Sequence, residues 1–94
     1  MMDAGQINTD VTIVNRRGLH ARAAAKLVTL AEQFSANVDV VKDGQAVSAR
    51  SIMGLMMLGA GIGSTVRLSA EGFDAKEALD AIAALIEAGF HETD

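Results

Sequence analysis

Asn15-Arg16-Arg17-Gly18-Leu19-His20-Ala21-Arg22 places one histidine where a strand-like run has just ended and a helix-like run begins. With His20 at the N-cap of that helix, the unpaired N–H groups of Ala21 and Arg22 face the space beside its ring. Such donors, with the helix dipole behind them, bind anions. Arg22 adds planar donors suited to phosphate, and Arg16 and Arg17 add positive charge close by in sequence. An imidazole nitrogen with a free lone pair is a nucleophile. The group therefore suits a histidine that takes up a phosphoryl group and has it steadied by the helix end. The plainer alternatives are a capping or a surface histidine. A metal centre is not expected: there is no cysteine, and the only other histidine, His91, lies far away in sequence with no His-x-x-x-His spacing.

A second candidate stretch is Arg50-Ser51-Ile52-Met53-Gly54-Leu55-Met56-Met57-Leu58. Ser51 is a natural N-cap for a short helix. Ile52, Leu55 and Leu58 fit an inward stripe, and Met53, Met56 and Met57 fall on the other side. Methionines there are either loose core packing or an adaptable surface for partners.

The elements that position these residues follow from periodicity. Gln6 to Val14 alternates as a strand. Ala24, Leu27, Val28, Ala31 and Phe34 lie at helical spacing over Ala21 to Gln33. Val38 to Lys42 and Gln45 to Ala49 are strands joined by Asp43-Gly44, a strong hairpin signal. Ser51 to Leu58 is helical, and Thr65 to Ala70 is a fourth strand. Asp74-Ala75-Lys76-Glu77 resembles a capping box before a helix that carries Leu79, Ile82, Ala83 and Ile86 and stops at Gly89. The order βαββαβα predicts a two-layer α+β sandwich with helices on one face of an antiparallel sheet. Its strand order stays open at this level, although a right-handed crossover leaves a gap beside the first strand that the fourth can fill.

Composition narrows the function classes. The 94 residues suit a single small domain, 1–94, with a loose tail over 91–94. Half of the residues are hydrophobic but only three are aromatic, so the core is expected to be built from Val, Ile, Leu, Met and Ala. No apolar run is long enough to span a bilayer, Met1–Gly5 lacks the features of a signal peptide, and cysteine is absent; a cytoplasmic protein is the expectation. A net charge of −4 argues against general nucleic-acid binding. The charge is uneven, with four bases and no acid from Asn15 to Lys26, so an anion is handled locally. The Gly59 to Gly63 run lacks the lysine and hydroxyl of a nucleotide-binding P-loop.

"GLHARAAA" and "RSIMGLMMLG" together resemble the two signatures of the HPr family, the histidine-containing phosphocarriers of the phosphoenolpyruvate-dependent phosphotransferase system. The resemblance covers nearly the whole chain. It implies a four-stranded antiparallel sheet in the order 1-4-2-3 with three helices on one face. It implies that His20 carries the phosphoryl group, that Arg22 assists, and that Ser51 is the regulatory serine. The partners implied are an Enzyme I-like donor, EIIA-like acceptors and a serine kinase/phosphorylase, with no cofactor and a monomeric carrier that turns over no substrate alone. Ile52, Met53, Leu55, Met56, Arg50 and Lys26 are the expected partner-binding residues. The alternative is a small regulatory ligand-binding domain on a similar sandwich. One departure stands out: Ala23 occupies a position where the family most often has proline, which suits a first helical turn and whose absence is expected to loosen it.

Overall fold

The computed structural model describes residues 6–92. Its elements are β1 (Gln6–Thr12), α1 (Ala21–Ala31), β2 (Asn37–Lys42), β3 (Gln45–Ser48), α2 (Ile52–Met57), β4 (Thr65–Glu71) and α3 (Ala75–Glu87), followed by a single 3-10 turn over Gly89–His91. The sheet is antiparallel, in the order β1-β4-β2-β3. β4 thus fills the place beside β1, as expected.

The alternation of the strands decides which face is covered. Val11, Val38, Val40, Val66, Leu68 and Ala70 are buried beneath the helices, and Ile13 just after β1 joins them. The opposite face is polar. Asp10 and Arg67 pair directly across β1 and β4, with Nε donating to Oδ1 at 2.9 Å. Gln6 Nε2 donates to Ser69 Oγ at 2.8 Å on the same pair of strands. The guanidinium beside Asp10 holds that carboxyl below the usual carboxylate range. A solvated polar face on one side and aliphatics on the other is how an antiparallel sheet tolerates a single helical layer.

The helices complete the core with Ala23, Ala24, Leu27, Val28 and Ala31 from α1, Leu55 from α2, and Ala75, Ala78, Leu79, Ile82 and Ile86 from α3. Two compositional expectations need correction. The three described methionines, Met53, Met56 and Met57, are all exposed, so the core does not use them. Phe90 is fully buried and plugs the end of the core beyond α3, whereas Phe73 is almost fully exposed.

Asp74 departs from the expected capping box. It occupies the N-cap of α3 but makes no side-chain cap bond. Its two carboxylate oxygens instead accept from the backbone N–H groups of Ser35, at 2.9 Å, and Ala36, at 2.8 Å. This also explains why α1 ends at Ala31 rather than Gln33. Gln33 and Phe34 make tight i→i−3 bonds to Leu30 and Ala31, and the next two N–H groups turn away to Asp74. Asp74 is therefore a clasp between the α1–β2 connection and α3. Asp74→Ala should lower stability by about 1–2 kcal/mol, because two backbone donors lose a charged acceptor. Chemical denaturation measures this, and an unchanged midpoint would remove the clasp.

The Asp43-Gly44 hairpin forms as the sequence predicts. Both residues take positive φ, 51° and 82°, which is the geometry that matches the twist of two directly paired strands.

Candidate functional site

The site is assembled where the β1–α1 loop meets the segment after α2. Gly18 takes φ 65°, and its backbone lies against Ala60 and Gly61. A Cβ at position 18 would sit 2.8 Å from Gly61 Cα and closer still to Ala60 O. The next residue is held by the Leu19 N–H donating to Ala60 O at 3.0 Å. The glycine-rich run is thus the wall against which the histidine loop is pressed. Gly18→Ala should cost about 3 kcal/mol, from left-handed strain plus overlap with backbone that has no rotamer to yield. A thermal or denaturant midpoint close to wild type would overturn that account.

His20 stands at the N-cap of α1, with φ −76° and ψ 178°, and its side chain makes no capping bond. The helix start is fully formed despite Ala23. Ala24 N–H donates to His20 O at 2.8 Å, and Ala23 is completely buried. The N–H groups of Ala21 and Arg22 fall in the first turn, where the helix provides no acceptor. The His20 ring is therefore neither a cap nor a freely solvated surface group, since its side chain is only 18% exposed.

Nothing in the sequence around His20 points to the partner of its ring. Glu92, 72 residues further on, brings Oε2 against His20 Nε2. Its other oxygen, Oε1, accepts from Asn15 Nδ2 at 3.1 Å, and the same amide donates to Gly18 O at 2.9 Å. Asn15 is itself buried, so the turn, the tail and the histidine form one connected cluster. The His20 ring, and secondarily the Asn15 amide and the Lys26 charge, hold the Glu92 carboxyl below the usual carboxylate range. A depressed carboxylate adds stability above its unfolded pKa and loses it as pH falls through the folded value, so this clasp is complete at neutral pH and weakens on the acid side.

The tail expected to be loose from 91 is therefore fastened at Glu92, while residues 93 and 94 lie outside those described. Phe90 makes the fastening possible. It sits at φ 57° with its ring buried, and its carbonyl accepts from Lys26 Nζ at 2.6 Å.

Other expected site residues are distributed differently. Arg17, Leu19, His20, Met56, Gly59, Ala60 and Gly61 line one pocket of about 260 Å³. Arg17 is the guanidinium on this pocket. Arg22 is exposed and lines the neighbouring groove between α1 and α3, with Lys26 and His91. Arg50 donates through Nη2 to Phe34 O at 2.6 Å, so its charge sits at the far end of α1.

Ser51 caps α2, its Oγ accepting from Gly54 N–H at 3.0 Å. Along α2 the exposed residues are Ile52 at 40%, Met53 at 70%, Met56 at 42% and Met57 at 70%. Two expectations change here. Ile52 faces outward rather than into the core. Leu55 is completely buried and has no surface to give a partner, because α2 runs only six residues and one side packs on the core through Leu55, with Leu58 buried at its C-cap.

A family described as "PTS HPr component phosphorylation site" matches residues 7–88. The chain belongs to the HPr family. Among its relatives, the phosphocarrier protein HPr of Cupriavidus necator is 54% identical over 92% of this chain and 97% of its own length. The phosphocarrier protein NPr of Shewanella violacea is 48% identical over 93% of this chain and 96% of its own. Among solved structures, HPr-C-His from Thermoanaerobacter tengcongensis superposes with a TM-score of 0.89 at 46% identity, covering 94% of this chain and 99% of that one. The 1-4-2-3 open-faced sandwich is thus the HPr fold, and the phosphotransferase system is where this family carries phosphoryl groups. Membership in HPr does not favour the alternative of a regulatory ligand-binding domain. Within this HPr-family chain, no helix among the described residues is long and apolar enough to cross a membrane.

Proposed function

We propose that this chain, as a single HPr-like domain, accepts a phosphoryl group on His20 from a phosphoenolpyruvate-charged Enzyme I-like donor. It passes that group to EIIA-like acceptors, for sugar uptake or its regulation. The observation that carries this reading is His20 at the N-cap of α1 with its ring free of any capping bond and the first-turn N–H groups of Ala21 and Arg22 beside it. Those donors and the positive helix end stabilise a phosphate dianion placed there. Arg17 supplies a guanidinium on the same pocket, and Arg22 projects from the first turn of the helix.

The chain acts as a monomeric carrier in the cytoplasm rather than as an enzyme, because it begins and ends each cycle as a reagent. The exposed face of Ile52, Met53 and Met56 is its docking surface, and methionine suits one face that meets both a donor and several acceptors. Ser51, at the edge of that face, is the regulatory position, a substrate for a serine kinase/phosphorylase.

The test is incubation with Enzyme I and labelled phosphoenolpyruvate. One equivalent of phosphate per chain should be taken up, labile in acid and stable in base as a phosphoramidate is. Acid-stable label, or none, would refute the carrier reading.

A further inference from the structure

Arg22, Lys26 and Leu30 recur at every fourth residue and so share one face of α1. Ala81, Leu85 and Ala88 repeat nearly the same spacing along α3 and its C-cap. The two faces border a groove of about 790 Å³. It is open because alanines flank the leucines: Ala25 and Ala84 end at Cβ, so the helices pack through their buried sides and leave space between their outer ones. The ends of the groove differ. Lys26 Nζ donates to Phe90 O at 2.6 Å, which brings the chain after α3 beside the first turns of α1 and sets His91 with Arg22 and Lys26. Away from that end the floor is apolar, formed by half-buried Leu30 and Leu85, and the only polar groups are Thr29 and Gln33 at the exposed rim.

No acid among the described residues lines this groove. Arg22 pairs with no carboxylate among them. Lys26 uses one of its three donors on Phe90 O, and Glu92 gives its oxygens to His20 and Asn15. Positive charge at one end of an apolar trough complements a molecule with an anionic head and a hydrocarbon tail. The guanidinium plane matches a carboxylate, and the Arg22 and Lys26 stems extend the apolar wall. The volume is that of a small-molecule site, and clefts between helices are a usual place for one. Arg22 and Leu30 lie roughly 12 Å apart along the axis of α1, the length of an extended chain of about ten carbons. A partner helix, about 10 Å across with its side chains, would reach Leu30 and Leu85 only through single side chains, whereas a hydrocarbon chain lies along both. We propose that the groove between α1 and α3 is a second binding site, for a free single-chain aliphatic carboxylate of that length, with its head on Arg22 and Lys26 and its tail along Leu30 and Leu85. His20 lines a different pocket, so this site stands apart from the carrier reading and is tested without phosphoryl transfer.

Decanoate, kept below the concentration at which it forms micelles, is titrated into the isotope-labelled chain and followed by NMR. Amide shifts should saturate in the submillimolar range, the scale open to a ligand of so few atoms, and should centre on Ala25, Thr29, Ala84 and Ala88. Butyrate, the head without the tail, and decyltrimethylammonium, the tail with the opposite charge, should each bind about ten-fold more weakly or worse. Arg22→Gln should weaken decanoate about ten-fold, the scale of one lost charge-assisted hydrogen bond. Ala84→Phe should fill the trough and abolish binding, with a thermal midpoint near wild type because position 84 is exposed. Decyltrimethylammonium bound as tightly as decanoate would reduce the groove to a general apolar surface, and butyrate bound as tightly would reduce it to a simple anion site. Shifts centred on Met53 and Met56 would move the tail to α2. Absence of saturable shifts would leave the groove to a partner helix or a second copy of the chain. Each of these results overturns the proposal, as does undiminished decanoate binding by either variant, and none of them bears on phosphate uptake at His20.

Discussion

His20→Ala is expected to take up no acid-labile phosphate from phosphoenolpyruvate and Enzyme I, a complete loss rather than a reduction. The reason is geometric as well as chemical. The phosphate-facing donors are backbone N–H groups of α1 and remain in the variant, but they can only attract an anion and cannot form the bond to phosphorus that a nucleophile makes. His91, the other histidine, is exposed, lines the groove between α1 and α3, and is absent from the pocket that holds His20. His91→Ala should therefore carry phosphate as wild type does. The fold should survive His20→Ala, since the ring is not part of the core and does not cap α1. Glu92 would keep its bond from Asn15. A circular dichroism melt confirms the fold, and label retained at one equivalent by a folded His20→Ala protein would end the assignment of His20.

Much of this arrangement is legible in the sequence because local physics decides it. The Asp43-Gly44 hairpin, the Ser51 cap and the helical spacing of Leu27, Val28 and Ala31 depend on neighbours within a few residues. So does the placing of His20 at a helix start. What escaped depends on groups far apart in the chain. Asp74 has the spacing of a capping box, yet its carboxylate serves two N–H groups 38 and 39 residues earlier. Arg50 looks like a rim charge beside the histidine, but a carbonyl 16 residues away fixes it elsewhere. Glu92 is one of seven acids in an acidic final third, and nothing in its neighbourhood distinguishes it from Glu87 or Asp94. Phe90 offered the only hint, a lone large apolar residue after the helix-ending Gly89; an aromatic there signals that the chain turns back onto the core and carries the next residues with it. The α2 stripe was ambiguous for another reason. Over six residues a helix makes fewer than two turns, so Ile52 and Leu55, three apart, can fall on opposite sides of the burial boundary.

That boundary in α2 yields the second large effect. Met53→Asp should slow phosphoryl transfer to and from protein partners by about ten-fold or more, the scale of one interface hot spot. Met53 is 70% exposed, so no cavity opens and no buried group is left unpaired. An acidic residue in the first turn of α2 also faces the positive end of the helix. Stability should thus stay within about 0.5 kcal/mol of wild type. Ser51→Asp should act in the same direction for a related reason. Aspartate caps a helix about as well as serine, so the bond to Gly54 N–H can be kept while a negative charge is set at the edge of the apolar face. Against acidic partner surfaces that charge repels, and phosphate on Ser51 would add roughly two charges in the same place. Leu55→Ala supplies the opposite pattern. Leu55 is completely buried, so its truncation should cost about 2–5 kcal/mol of stability while leaving the exposed face chemically intact. Labelling by phosphoramidate, which needs no docking, should be unaffected in Met53→Asp and Ser51→Asp. Slow protein-to-protein transfer with normal phosphoramidate labelling places the defect in docking. Wild-type transfer rates in both variants would instead mean that this face is not where partners bind, and a large loss of stability in Met53→Asp would return that methionine to the core.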